Sequence, residues 1–321
     1  MKPKYITILL SSFLFLFGCS SGSEEKLTPT AEPEPVYNGA NTLPQGNHDY
    51  DAGIVEFFNK YGTIILYKYD ENEIYWMRSK SLERSVYDPE TGTSTKGYYD
   101  TPADENYVGQ QLQLLYETLS QFPDEVLKKY LPRRIFLVDS FINVTTEGLG
   151  VPDTRPHDDV PVFAGPDYLL ISGGGERITT MTDAEKKLIT GGIFSQLFVP
   201  LMELGSYPMP EEFAALTNYP GAASASWTNF YRVYGCLYWS RYTPPSKDWN
   251  AYVEAIITVP YSEWMLLDSP NTNRQIYRGF MDPVLDTEKK VRTKYKYVLD
   301  HFQATYGIDL FGVLNVGTFV F

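Results

Sequence analysis

The sequence predicts an α+β body in which a small mixed sheet packs against several helices. Three observations carry this. Short apolar runs with strand character lie at 63–69 (TIILYKY), 134–141 (RIFLVDSF) and 168–172 (YLLIS). Longer stretches place apolar side chains at helical spacing. The two kinds of element alternate irregularly along the chain, the pattern of an α+β protein.

Taken in order, 51–61 opens with an acidic residue and sets Ile54, Val55, Phe57 and Phe58 at helical spacing. Residues 63–69 form a strand, and 74–77 pair with it across a turn at 70–73. Residues 81–104 are polar, with Gly and Thr clusters, and read as a long loop or irregular hairpin. Val108, Leu112, Leu115 and Leu119 share one face of a helix over 107–121. A shorter helix over 123–130 opens Pro-Asp-Glu. The strand at 134–141 follows, then a Gly-, Pro- and Asp-rich loop over 143–160.

After the strand at 168–172, Gly173, Gly174 and Gly175 make either a turn or an anion cradle built from backbone N–H groups. The run lacks the Lys-Ser/Thr ending of a phosphate loop, which favours the turn. Thr182 and Glu185 form a capping box. The helix they open carries Leu188, Ile189, Ile193, Phe194 and Leu197 and is expected to stop at Pro200. Residues 208–225 form a loop with helical turns. A buried helix spans 248–258 and a long closing helix spans 286–306.

The N-terminus sets an address. Lys2 and Lys4 precede an apolar run from Tyr5 to Phe17, which ends Gly18-Cys19. A basic head, a short apolar centre and a small residue before the cut mark an export signal. A cysteine directly after the cut is what a bacterial lipoprotein signal requires, with lipid attached at Cys19. The run is too short to span a bilayer as a permanent helix, which needs about 20 residues. Residues 1–18 are thus read as the signal peptide, 19–47 as a lipidated Pro- and Glu-rich tether, and 48–321 as a single globular domain. The acidic patch at 24–25 resembles the surface-export signal of some Gram-negative lipoproteins. The expected location is therefore the outer membrane, lipid-anchored and facing the medium.

The net charge is −13 over 321 residues, and removal of Lys2 and Lys4 with the signal takes it to −15. Such a surface repels phosphate backbones and disfavours nucleic acid as a partner. The chain has two cysteines. With Cys19 lipidated, no internal disulfide forms, and Cys236 reads as a buried, inert thiol. The 26 Tyr and 5 Trp fit either a large core or a surface on which a peptide or glycan stacks.

Several stretches carry a family resemblance: Tyr130-Leu131-Pro132 with the strand after it; the helix over 187–198; Tyr238-Trp239-Ser240 before Asp248-Trp249; and the closing run that ends Tyr306-Gly307-Ile308-Asp309-Leu310. Together they resemble the zinc-binding metallopeptidase lipoproteins encoded beside TonB-dependent nutrient importers. The resemblance implies a zincin-like body and an outer-membrane importer complex as partner. It also implies an H-E-x-x-H helix, whose two histidines hold zinc while the glutamate activates water.

This chain departs from that motif. Gly192 stands at the first histidine, Ile193 at the glutamate and Gln196 at the second histidine, and Ala251 falls at or beside the third ligand. Glycine, isoleucine and alanine offer no ligand, and a neutral amide is a poor one for zinc. His48, His157 and His301 have no metal spacing among themselves. A substitute site from His157, Asp158 and Asp159 competes with a plain solvated loop. No zinc or other cofactor is expected, and no catalytic residue is assigned.

The resulting expectation is an inactive metallopeptidase relative that serves as a binding or accessory protein in nutrient import. Trp227, Tyr231, Tyr238, Trp239 and Trp249 are the candidates to line the retained cleft; all of them fit a core equally, and Trp249 fits it best. Two alternatives stay open. One is an active hydrolase with a non-standard carboxylate or metal site; the other is a structural partner of an importer. Gly191 and Gly192 within one helix together cost about 1–2 kcal/mol against alanine. Either something lies close against that turn, or the helix merely bends there.

Overall fold

The computed structural model describes residues 42–76, 82–238, 244–266, 277–284, 286–317 and 319, and of 227–229 only the backbone. Cys19, most of the expected tether, and Trp239 lie outside them. Residues 43 and 45, at the end of the expected tether, contact the body. Leu43 packs on the core, and the Gln45 side-chain oxygen accepts hydrogen bonds from the backbone N–H of Tyr67 at 2.9 Å and Lys68 at 3.2 Å.

Helix α1 (Asp51–Tyr61) leads into strand β1 (Ile64–Leu66). The strand expected at 74–77 is absent over its described part. Asp70 accepts from Asn72 N–H at 2.8 Å and closes a capping box with Glu73, which commits the chain to one helical turn, α2 (Glu71–Ile74). Met77 lies outside the described residues. The stretch after it, expected as a long loop or irregular hairpin, holds β2 (Tyr87–Asp88) and β3 (Thr93–Ser94), which pair antiparallel as a short hairpin, and β4 (Gly97–Pro102). Helices α3 (Val108–Leu119) and α4 (Asp124–Tyr130) follow, close to their expected limits.

Strand β5 (Arg134–Val144) is the spine of the main sheet. Its first half pairs in parallel with β1 on one side and β9 (Tyr168–Ile171) on the other. Its second half runs past the expected end and pairs antiparallel with β4 and with β7 (His157–Asp159). β8 (Val162–Ala164) is added antiparallel to β9. A second, three-stranded sheet joins β2, β3 and β6 (Gly148–Leu149).

Helix α5 (Asp183–Glu203) starts at the Thr182–Glu185 capping box, as its sequence requires. It does not stop at Pro200. Proline there removes the hydrogen bond to the Gln196 carbonyl, but Gln196 is exposed, so water can replace the lost donor. Leu201 and Met202 then anchor the last turn in the core. Five more helices follow: α6 (Glu211–Ala215), α7 (Tyr219–Ala223), α8 (Trp227–Arg232), α9 (Pro245–Thr258) and α10 (Tyr261–Met265). The chain closes with α11 (Lys290–Tyr306), which starts four residues later than expected, and α12 (Leu310–Leu314). The body is thus a mixed sheet packed against helices. One apolar cluster links α1, α3, α5, α9, α11 and the sheet. Among the described residues no helix is long and apolar enough to cross a membrane.

Two close contacts explain the paired glycines of α5. A Cβ on Gly191 would sit 2.8 Å from Leu314 Cδ1, and one on Gly192 would sit 2.7 Å from Val162 Cγ2 and 2.9 Å from Val162 Cβ. Something does lie against that turn: α12 on one side and β8 on the other. Leu314 can swing its methyl aside, whereas Val162 is β-branched and stiff. Gly192→Ala is therefore expected to lower stability by about 1–3 kcal/mol through overpacking, although helix propensity alone would raise it by about 1. Gly191→Ala is expected to cost less. Urea midpoints of the two variants check the order, and a Gly192→Ala protein more stable than its parent would refute the contact.

A buried ion pair fixes the helices around the candidate site. Lys294 on α11 donates to Asp248 on α9 at 2.6 Å, and the two side chains are 1% and 0% exposed. Tyr219 O–H donates to the same carboxylate oxygen at 2.9 Å, and Leu237 N–H donates to the other at 2.7 Å. The ammonium also lies over the rings of Tyr219 at 4.8 Å and Phe213 at 4.9 Å. Lys294→Met would strand the carboxylate in the core and is expected to cost about 3–5 kcal/mol. Chemical denaturation measures this, and an unchanged midpoint would contradict the assigned role.

Candidate functional site

The α5 face where the motif falls looks outward between β8 and α9. Residues 188, 192, 196, 199 and 203 fall on one side of the helix at spacings of three and four. At the β8 end this face is closed, with Val162 over Gly192. Gln196 is exposed. Beyond it the face opens into a groove of about 320 Å³. Val199, Met202 and Glu203 of α5 form one wall; Lys247, Asn250, Ala251, Glu254 and Ile257 of α9 form the other. Tyr238 and Tyr277 complete the lining. The segment before α9 is held by the buried pair, because Asp248 accepts from the backbone N–H of both Leu237 and Tyr238.

The sequence-based assignments divide. Tyr238 and Ala251 meet in this groove. Ile193 does not face it; its side chain is fully buried in the core. Tyr231 is a correction. It is buried and stacks on Phe280 with centroids 4.4 Å apart, so it is a core residue and not lining. The sequence leaves this choice open because tyrosine suits a rim and a core equally. Trp239 and the Trp227 side chain lie outside the described residues. Trp249 is buried; it stacks on Phe302 at 5.6 Å and donates its indole N–H to the Tyr207 carbonyl at 3.2 Å. Cys236 is fully buried, and burial followed by the Asp248 charge pushes its thiol up to about 12, which leaves it protonated and unreactive.

The described lining of the groove carries five ionisable side chains: Glu203, Glu254, Lys247 and the two phenols. Burial, then the charge of Glu254, pushes Tyr277 up to about 12, so its hydroxyl stays a hydrogen-bond donor. The donor set does not fit zinc. The motif positions supply one exposed amide, at Gln196, and the described lining holds carboxylates without imidazole or thiolate. The histidines lie elsewhere. His48 pairs with Asp51 and Glu105, and His301 packs on Trp249. His157 and Asp159 share one side of β7 while Asp158 points to the other, so those three cannot converge on an ion. The glycine loop is a turn and not an anion cradle. Gly173 N–H donates to Asp139 O and Gly174 N–H to Val138 O, each at 2.8 Å, which uses up two of the donors an anion would need.

A second, smaller cavity of about 130 Å³ lies between β5, the end of β7 with residues 160–161, and the start of α5. Asp139, Asp159, Arg177 and Glu185 rim it, over Phe141, Met181, Leu188 and Ile189. Burial, reinforced by Asp104, raises the Asp139 carboxyl. The Arg177 hydrogen bond, with the Thr182 backbone, holds Glu185 down to about 2.

No protein-family model matches this chain, and no curated protein does. Among solved structures it is similar to one described as "a putative zinc-binding metallo-peptidase" from Bacteroides caccae ATCC 43185. The two are 13% identical with a TM-score of 0.40, over 83% of this chain and 88% of that one. Similarity at this level is a distant likeness and assigns neither a family nor an activity.

Proposed function

We propose that this chain is a lipid-anchored envelope protein with a zincin-like body that has lost peptidase chemistry and binds instead of cleaving. One observation carries the reading. On the α5 face that would present two imidazoles and a base, Gly192 is pressed under Val162, Ile193 is turned into the core and Gln196 offers only an amide. The same face still opens into the α5–α9 groove. A groove retained without an activating group suits a binding or accessory role, with a peptide as its ligand. The N-terminal signal supports an outer-membrane, surface-facing location, and the resemblance supports work beside an importer.

The carboxylates of the smaller cavity favour one alternative, a hydrolase. A carboxyl raised by burial near one held ionised is how acid and base roles are separated. Asp139 would be the acid.

The purified protein is expected to carry no stoichiometric zinc and to cleave no peptide. One tightly held zinc per chain by elemental analysis would overturn the reading; chelator-insensitive hydrolysis lost in Asp139→Asn would establish the alternative. Cys19→Ala is expected to move the protein from the membrane to the soluble fraction, and unchanged fractionation would refute the anchor.

A further inference from the structure

Helix α5 serves a second cavity with a different face. Lys187, Thr190, Phe194 and Phe198 recur at intervals of three and four residues and form a stripe apart from the one that lines the groove. Against this stripe stand the 121–123 turn, Tyr207 and the turn from Tyr306 to Asp309. They bound about 660 Å³, twice the volume of the groove and within the range of about 300–1,000 Å³ typical of small-molecule sites.

A file of aromatic rings forms its wall. Centroid separations are 4.9 Å for Phe122–Phe194, 4.9 Å for Phe194–Phe198, 4.8 Å for Phe198–Tyr207 and 5.0 Å for Tyr207–Tyr306. The three phenylalanines are buried and act as backing. The two tyrosines are half-buried and meet nearly at right angles, so ring surface reaches the cavity. Neither phenol makes a hydrogen bond to a described residue, and burial raises Tyr207, which keeps its hydroxyl protonated. Polar groups share the lining. Asp309 uses one carboxylate oxygen on Gly312 N–H at 3.0 Å, and Gln121 is exposed. The Lys187 ammonium is held by the Gly312 carbonyl.

This mixture selects a ligand class. A hydrocarbon would strand the phenols, Asp309 and Gln121 without partners. An anion would meet Asp309 and a chain of net charge −13, while the one ammonium is already engaged. A sugar presents an apolar C–H face to a ring and a rim of hydroxyls that both donate and accept. We propose that this cavity is a binding site for a neutral saccharide, with Tyr207 and Tyr306 as the stacking platform and Asp309 and Gln121 as hydroxyl partners.

The test is a titration of the purified full chain with neutral tetrasaccharides, namely maltotetraose, cellotetraose and mannotetraose. The readouts are Trp fluorescence and saturation-transfer NMR. At least one is expected to bind with a Kd below about 10 mM, and Tyr306→Ala is expected to weaken it by about tenfold. Asp309→Asn keeps the hydrogen bond to Gly312 and is expected to weaken binding by about threefold or more. If Tyr306→Ala does not fold, Asp309→Asn and Gln121→Ala carry the test, and both must weaken binding. Tyr238→Ala, in the α5–α9 groove, is expected to leave it unchanged. No binding by any of the three sugars, or binding indifferent to these cavity substitutions, overturns the proposal. Loss in Tyr238→Ala alone would move the sugar to the groove, which ends this proposal but leaves the binding role intact.

Discussion

The salt bridge between Lys294 and Asp248 is the contact on which the helical half of this protein depends. Two full charges buried together are costly to desolvate, and they are tolerated because every strong valence is met. One carboxylate oxygen takes the ammonium and the Tyr219 hydroxyl; the other takes the backbone N–H groups of Leu237 and Tyr238. The pair thus fixes α11 against α9 and draws in the segment leading to Tyr238. Ala251 lies one turn along α9 from Asp248, so the same contact sets one wall of the groove. On its other side, Trp249 packs on Phe302 and reaches the Tyr207 backbone, which sets part of the aromatic cavity.

Helix α5 is the second constraint. It packs on the sheet and on α9 and α12, and still leaves two faces lined by open volume. Its glycines let β8 and α12 approach closely, and the approach of β8 closes the face where metal chemistry would need room. Glycine at 192 thus both offers no side-chain donor and lets β8 close over this face. A histidine at position 192 would have to displace Val162 before it could reach a metal.

Much of this was legible in the sequence. The Thr182–Glu185 box, the spacing of Val108, Leu112, Leu115 and Leu119, and the apolar centres of β5 and β9 are local signals, and each formed the element it indicated. The misses share a cause. β4 and β8 carry no alternation of their own and exist because β5 and β9 offer them edges. Pro200 should end a helix, but Leu201 and Met202 have a core to enter. Tyr231 and Tyr238 lie seven residues apart in one aromatic-rich stretch, yet one is core and the other lines the groove.

The sequence by itself determined which chemical groups this protein owns: a cysteine directly after a short apolar run, a helix with glycine, isoleucine and glutamine at 192, 193 and 196, and a net charge of −13. Those are properties of residue types and short spacings, which the chain carries whether folded or not. Only the tertiary structure decided where space remains. Lys294 finds Asp248 across 46 residues, Val162 finds Gly192, and Tyr306 finds Tyr207. A cavity is what close packing leaves over among elements distant in sequence, and no local pattern records it.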